Sequence, residues 1–252
     1  MRSQPTTIRV CDVFRSLSDH DVHELESRSR LRRFDRGEPI YLPNDAARRL
    51  FILLSGRVKI CHYTEDGKES ILGIVSPGEL FGEMALLAPA RRGEVAEAIQ
   101  RCEVLTLPSD AVRQLMHRRP HLAAAIADLV GARRARLENR LKNLLYRSNR
   151  ERLIALLLDL AAEHGEPNGR GIRLALSLSH QELASIIGAT RETVSVLIGA
   201  LRREGLIDSG RRRIIILQPE RLARSVGMHF HPPVSVSGTR AFPRRPVLEY
   251  SS

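Results

Sequence analysis

A short polar segment, Thr190-Arg191-Glu192-Thr193, has the side chains that read base pairs of double-stranded DNA. The guanidinium of Arg191 can donate two hydrogen bonds to guanine, and the carboxylate of Glu192 can accept one from cytosine. Such contacts are made from the first turn of a helix that lies in the major groove. The surrounding sequence must therefore supply that helix and a support that orients it.

Residues 177–207 have the pattern of two helices separated by a glycine-containing turn. Ser179 and Glu182 have the spacing of a capping box, and Gly188 ends the first helix. Thr190 can cap the second helix, whose buried face is Val194, Leu197, Ile198 and Leu201. The pattern predicts a helix-turn-helix; the alternative is an ordinary helical hairpin.

A β-wing is predicted directly after these helices. Three consecutive arginines precede Ile214-Ile215-Ile216, after a turn expected at residues 208–210. Arginines on a wing face the phosphate backbone. The predicted DNA-binding residues are Ser179, His180, Gln181, Thr190, Arg191, Glu192, Thr193, Ser195, Arg211, Arg212 and Arg213.

The charge distribution supports a polyanionic partner for the second half of the chain. The 252 residues have a net charge of +11. Residues 1–130 contain 19 basic and 18 acidic side chains, whereas residues 131–252 contain 21 and 11. A genome rich in arginine codons explains arginine in place of lysine, but it does not explain this asymmetry. Nucleic acid and an anionic membrane are the two candidates.

Residues 34–107 have the pattern of short β-strands separated by turn residues. The segments 39–43, 49–56, 57–63, 70–75, 94–99 and 102–107 are the predicted strands. Residues 57–75 read as a hairpin around Asp66-Gly67. Strands at this spacing predict a sandwich or barrel. Helical patterns precede this region at residues 12–33 and follow it from residue 109, so the fold class is α+β.

A long helix is predicted over residues 121–147. Apolar residues recur along it at spacings of three and four, and they include Val130, Leu137, Leu141 and Leu144. Such a seam is typical of a dimerising coiled coil. The alternative is a helix that packs on its own domain. From Gln218 onward the periodicity fades, and residues 223–252 are predicted to be a disordered basic tail.

The sequence resembles the bacterial Crp–Fnr family of transcription regulators over about residues 12–222. The segment from His180 to Ile207 is similar to the family's winged helix-turn-helix, and Pro77-Gly78-Glu79-Leu80-Phe81-Gly82-Glu83-Met84 is similar to its cyclic-nucleotide-binding β-roll. The resemblance implies a jelly-roll-like antiparallel β-roll (1–119), a dimerisation helix (120–147) and the DNA-binding domain (148–222). It also implies a homodimer that binds an inverted-repeat operator and contacts RNA polymerase.

The resemblance further implies an effector site in the β-roll. Cyclic-AMP-responsive members hold the nucleotide with a Phe-Gly-Glu turn and an Arg-Ser pair, which correspond here to Phe81-Gly82-Glu83 and Arg92-Gly93. Met84, directly after the turn, is also expected to contact the effector. Glu83 occupies the position that binds the ribose hydroxyl in those members, and Arg92 occupies the position that binds the cyclic phosphate. Gly93 lacks the serine hydroxyl, and residues 121–147 contain no Ser or Thr to reach adenine. Two alternatives remain: an anionic effector such as a cyclic nucleotide, or a Glu83–Arg92 ion pair that closes an empty pocket.

Other classes of protein fit the sequence poorly. No apolar run approaches the roughly 20 residues of a membrane helix. A metal enzyme of the cupin type needs several histidines in the barrel, but residues 34–107 contain only His62. An RNA-binding or membrane-surface protein would use aromatic platforms or a basic amphipathic helix, and aromatic residues are only 4% of this chain. We therefore expect no catalytic residues, no metal site and no firmly assigned cofactor.

The number and spacing of the cysteines indicate the cellular compartment in which the protein is expected to work. Cys11, Cys61 and Cys102 are an odd number of thiols with no Cys-x-x-Cys pair. This argues against a disulfide framework and against a four-cysteine zinc or iron–sulfur site. Ordinary thiols and a cytoplasmic location are expected.

Overall fold

The chain divides into two units, and the division falls inside a 27-residue helix. The computed structural model describes residues 8–87, 91–210 and 213–230. The units comprise residues 1–137 and 138–252. Up to the end of that helix, the elements are α1 (Asp19–Ser27), β1 (Arg30–Phe34), β2 (Pro39–Tyr41), β3 (Arg49–Tyr63), β4 (Glu69–Val75), β5 (Leu80–Phe81), α2 (Met84–Leu87), β6 (Val95–Pro108), α3 (Ser109–Arg118) and α4 (Pro120–Tyr146).

The first unit is built on an antiparallel sheet with strand order β1-β6-β3-β4, in which β2 also pairs with β6 and β5 with β3. The hairpin of β3 and β4 confirms the prediction for residues 57–75. The predicted strand breaks at residues 55–56 and 100–101 are wrong. Register shifts beside Ser55 and Arg57 bend the paired strands β3 and β6 without ending them, as β-bulges do.

Two apolar clusters form the core of this unit. One joins α1, α3 and the inner faces of the strands, and the other surrounds the aromatic side chains of Phe34, Tyr41, Phe51 and Phe81. The first turns of α4 belong to the former cluster, because Leu122 and Ile126 are fully buried in it. Helix α4 therefore packs on its own domain at its beginning, as the alternative interpretation of this helix expected.

The second unit contains the remaining elements. They are α5 (Asn149–His164), β7 (Gly165–Asn168), β8 (Gly171–Leu174), α6 (His180–Ile187), α7 (Arg191–Arg203), β9 (Ile207–Gly210), β10 (Arg213–Ile216) and α8 (Pro219–Arg224). The strands form one antiparallel sheet in the order β7-β8-β10-β9. The predicted wing is thereby present as β9 and β10.

Two details of this sheet correct the sequence analysis. Residues 165–171, expected to be a loop, form most of the hairpin of β7 and β8. Pro167 is tolerated there because β7 is an edge strand, where a missing N–H costs no ladder hydrogen bond. Asp208-Ser209-Gly210, expected to be a turn, belongs to β9 and pairs with β10.

The packed part of the second unit extends past residue 222, where the sequence analysis placed its end. Helix α8 continues to Arg224, and Ala223, Val226 and Met228 are buried. The start of the predicted tail at residue 223 is therefore too early. The predicted tail beyond residue 230 lies outside the described residues.

One buried carboxylate ties α1 to the start of α4. Asp21 is 1% exposed and accepts hydrogen bonds from Arg119 Nε at 2.9 Å and from Ser18 Oγ at 2.6 Å. These hydrogen bonds lower the pKa of Asp21 from 3.8 to about 2. Its ionised form therefore stabilises the folded state above the unfolded pKa, and this stabilisation is lost as the pH falls through about 2.

We predict that Asp21→Asn lowers the free energy of unfolding by about 1–2 kcal/mol at pH 7, after allowance for the partly exposed Arg119. Urea denaturation at pH 7 and near pH 2 measures this, and the difference from the wild type should shrink at the lower pH. Asp19→Asn is the control, because Asp19 pairs with Arg9 but its side chain is 99% exposed. An equal loss in both variants would contradict the prediction.

Candidate DNA-binding surface and effector site

The helix-turn-helix consists of α6 and α7, which are bent by 105° relative to each other. The capping box is present, since Ser179 Oγ accepts from Glu182 N at 3.1 Å and Ser179 N donates to Glu182 Oε2 at 2.6 Å. Gly188 ends α6 with a φ of +67°, in the left-handed region that favours glycine. Both local signals in the sequence therefore fix the turn between the helices, as predicted.

Helix α7 exposes one continuous face. Arg191, Glu192, Ser195 and Val196 are exposed, whereas Val194, Ile198 and Leu201 are buried. With about 100° per residue, the four exposed side chains lie within about 140° of the helix circumference. We call these four residues the reading face.

The other polar side chains at the start of α7 stabilise the N-terminus of this helix. Thr190 caps α7, because its Oγ1 accepts from Thr193 N at 3.2 Å. The two threonine hydroxyls lie 3.0 Å apart, within hydrogen-bond distance. Thr190 and Thr193, like Ser179, therefore stabilise the motif that presents Arg191 and Glu192.

His180 and Ser195 connect the two helices on this surface. His180 Nδ1 lies 2.8 Å from Ser195 Oγ, and Ser195 Oγ donates to Arg191 O at 2.9 Å. The hydroxyl of Ser195 is thus already hydrogen-bonded within the protein. Gln181 is exposed at the start of α6.

The wing contributes one described arginine. Arg213 is exposed at the start of β10, and its Nη2 lies 3.7 Å from Asp208 Oδ2. Asp208 also accepts from Arg170 Nη2 at 2.7 Å. Arg211 and Arg212 lie outside the described residues.

Two arginines that the sequence analysis missed hold the end of α6. Arg140, from α4, donates to the carbonyl oxygens of Ser185 (3.3 Å) and Ile186. Arg152, from α5, donates from Nη1 to Ile187 O at 2.9 Å. Burial lowers the pKa of Arg140 to about 10. A helix C-terminus has a partial negative charge, so these cations stabilise the end of α6 and fix its direction.

Arg92 is the central residue of the predicted effector site. It is 5% exposed, and its Nη1 donates to Gly82 O at 2.9 Å while its Nη2 donates to Arg49 O. The guanidinium carbon lies 4.4 Å from the centre of the Tyr41 ring and 5.5 Å from that of Phe51. The aromatic support explains how a cation is buried here.

Gly82 is required by this packing. Its φ is +71°, and a Cβ atom at this position would lie 2.9 Å from Arg92 Nη1 and 3.0 Å from Phe51 Cδ2. Phe81 is fully buried against Phe51, whereas Met84 is 46% exposed. Gly93 is also exposed, and a Cβ atom there would meet nothing within 4 Å.

Glu83 does not pair with Arg92, so the ion pair considered in the sequence analysis is wrong. Glu83 is 7% exposed and instead forms an ion pair with Arg133 of α4, whose Nη2 also donates to Leu80 O. Arg133 has no acidic residue three or four positions away in its own helix. No local pattern in the sequence therefore identified the partner of Arg133.

A cavity of about 300 Å³ lies beside Arg92 in the first unit. Its lining is rich in arginine: Arg32, Arg48, Arg49 and Arg92, with Asp45, Ala46, Ile40, Tyr41 and Phe51. Its size is suited to a small ligand, and its charge favours an anionic one.

The three cysteines are thiols enclosed in the protein. Cys11, Cys61 and Cys102 are free and buried. Burial raises the pKa of the Cys11 thiol to about 12 and that of Cys102 to about 11. Within the described residues, no cluster of three or more His, Cys, Asp or Glu side chains could hold a metal ion.

In the described part of the chain, no single helix is long and apolar enough to span a bilayer. The bent pair α6 and α7 satisfies the length and composition requirements only when its two helices are taken together.

Two family models match the chain. The cyclic nucleotide-binding domain matches residues 31–119, and the Crp-like helix-turn-helix domain matches residues 151–225. Together they cover the β-sheet domain and the DNA-binding unit described above. The fold and the matched domains thus define a DNA-binding transcription regulator with an effector-binding N-terminal domain.

Individual relatives agree with these matches. A CRP-like cAMP-activated global transcriptional regulator from Mycobacterium tuberculosis is 31% identical over 76% of this chain and 85% of its own length. A global nitrogen regulator from Synechocystis is 33% identical over 76% of this chain and 86% of its own length. A solved structure of a CRP-family transcriptional regulator from Thermus thermophilus is 31% identical, with a TM-score of 0.67 over 79% of this chain and 98% of that one. The chain belongs to the Crp–Fnr family of transcription regulators, which are not enzymes.

Proposed function

We propose that the chain acts in the cytoplasm as a homodimer that binds an inverted-repeat operator and regulates transcription through contact with RNA polymerase. The observation that carries this proposal is the reading face of α7, which presents Arg191 and Glu192 from the first turn of the second helix of a helix-turn-helix. A two-fold dimer places two such helices in major grooves about one helical turn apart, so its operator has the same symmetry.

The apolar seam of α4 supports the homodimer. Leu137, Leu141 and Leu144 are 45%, 56% and 39% exposed, and Val130 is half-buried. Exposed leucines at spacings of three and four on one helix face are the pattern of a coiled-coil interface. A second copy of the same helix would cover them.

The base-reading role of Arg191 is tested by substitution. We expect Arg191→Ala to cost about 1–3 kcal/mol on the preferred operator and to relax the preference at one G·C pair, because a bidentate guanine contact is lost. Selection from random double-stranded DNA followed by anisotropy titration measures both effects.

The wing arginines are the matched control for Arg191. Replacing Arg211, Arg212 and Arg213 with alanine should weaken binding to all sequences alike and reduce the dependence of affinity on salt, because phosphate contacts release counterions. If Arg191→Ala changes no base preference, the role assigned to Arg191 is wrong. The absence of any sequence-specific binding by the wild type would contradict the proposed function itself.

We further propose that the first unit binds a small anionic effector through Arg92. Four arginines and one aspartate line the adjacent cavity, which supports a ligand with negative charge. The relatives do not determine which anion, because one is named as cAMP-activated and another as a nitrogen regulator. Gly93 lacks a hydroxyl and α4 contains no Ser or Thr, so polar groups of an adenine nucleotide would be left unsatisfied, at about 1–3 kcal/mol each.

A thermal-shift screen of cyclic nucleotides, 2-oxo acids and nucleotide second messengers tests this effector site. A ligand present at 100 times its Kd should add about 2.7 kcal/mol to the free energy of unfolding. The shift should disappear in Arg92→Gln, measured against the ligand-free baseline of that variant. Full operator binding without ligand, together with no shift from any compound, would favour an effector-independent regulator.

A further inference from the structure

The second turn of the reading face is apolar. Val196 is 68% exposed and lies four residues after Glu192, hence one helical turn further along the same face. Gly199, the next residue on this face, presents no side chain, and a Cβ atom built there would meet nothing within 4 Å. Val196 is thus directed away from the buried face of α7, and its side chain is available to contact DNA on the surface that presents Arg191 and Glu192.

Because the Ser195 hydroxyl is already hydrogen-bonded within the protein, Val196 is the side chain of this turn that remains available to contact DNA. The Ser195 hydroxyl is bound between His180 Nδ1 and Arg191 O, at 2.8 and 2.9 Å. Val196 has no hydrogen-bonding atom in its side chain, so it can neither read a guanine nor pair with a phosphate. In the major groove, the apolar feature that distinguishes one base pair from another is the C5-methyl group of a pyrimidine.

We propose that Val196 reads the C5-methyl group of one pyrimidine in each half-site. This inference rests on the proposed DNA-reading role of α7. The methyl group belongs either to thymine in unmodified DNA or to 5-methylcytosine in methylated DNA. The guanidinium of Arg191 and the carboxylate of Glu192 then form hydrogen bonds with polar base edges. Val196 selects the base at the neighbouring position by an apolar contact with its methyl group.

Removal of single methyl groups from the DNA tests the proposal. The preferred operator is first selected from random DNA, and each thymine of the half-site is then replaced by deoxyuridine, which keeps the pairing with adenine. At one thymine, the wild type should lose about fourfold in affinity per half-site, which corresponds to about 0.8 kcal/mol for one buried methyl-sized group. In Val196→Ala the loss at that thymine should fall below twofold, whereas Val10→Ala, at an exposed valine of the first unit, should behave as the wild type does.

Cytosine and 5-methylcytosine at the same position distinguish the two sources of the methyl group. The wild type should bind the 5-methylcytosine operator more tightly than the cytosine operator. A preference for thymine over 5-methylcytosine identifies unmodified DNA as the target, and the reverse identifies methylated DNA. Specific binding by the wild type without any Val196-dependent methyl effect would overturn this inference and leave the proposed function intact. Absence of specific binding would overturn both.

Discussion

Leu137→Glu combined with Leu141→Glu is expected to convert the protein to a monomer and to lower its operator affinity on the order of 100-fold or more. The two leucines are 45% and 56% exposed on one face of α4, and a dimer would place each against its counterpart. Glutamates at these positions would bring like charges together in a desolvated interface, which is strongly unfavourable. A monomer has one reading face, so it loses the gain in affinity that two linked half-site contacts provide.

Analytical ultracentrifugation and anisotropy titration measure the two effects. Ala132→Glu combined with Asn139→Glu is the matched control, because it adds the same charge on the opposite side of α4. This control should stay dimeric and bind the operator. A Leu137/Leu141 variant that sediments as a dimer would show that the seam is not the interface.

Arg133→Met is expected to lower the free energy of unfolding of the first unit by about 2–4 kcal/mol, because the carboxylate of Glu83 would remain buried without its partner. Glu83 is 7% exposed, and the side chain of Arg133 is 23% exposed. The substitution also removes the hydrogen bond to Leu80 O. Urea denaturation at pH 7 measures the loss.

A double-mutant cycle separates the ion pair from simple packing. Glu83→Gln should recover part of the stability lost in Arg133→Met, because a neutral amide is less costly to bury than an unpaired carboxylate. Arg118→Met is the control, since Arg118 forms an exposed ion pair with Glu24, and its loss should destabilise the protein much less than Arg133→Met does. Equal losses in Arg118→Met and Arg133→Met would contradict the structural role given to Glu83.

Local signals were sufficient wherever a short stretch of chain determines its own conformation. The capping box of Ser179 and Glu182, the left-handed Gly188 and the cap at Thr190 were all predicted, because each involves residues only a few positions apart. The strand breaks expected near Ser55 were wrong, because pairing with β6 continues through that segment by means of a bulge. Turn-forming residues signal a local preference, and sheet pairing overrides it.

The sequence by itself determined the α+β class, the helix-turn-helix and the placement of Arg191, Glu192 and Ser195 on its second helix, since these depend on periodicity and short-range spacing. Only the tertiary structure decided the ionic partners. It joined Glu83 to Arg133, 50 positions away, and directed Arg92 to backbone carbonyl oxygens and aromatic rings. A buried charge takes whichever partner the fold brings within hydrogen-bond distance, and separation along the chain carries no information about that choice.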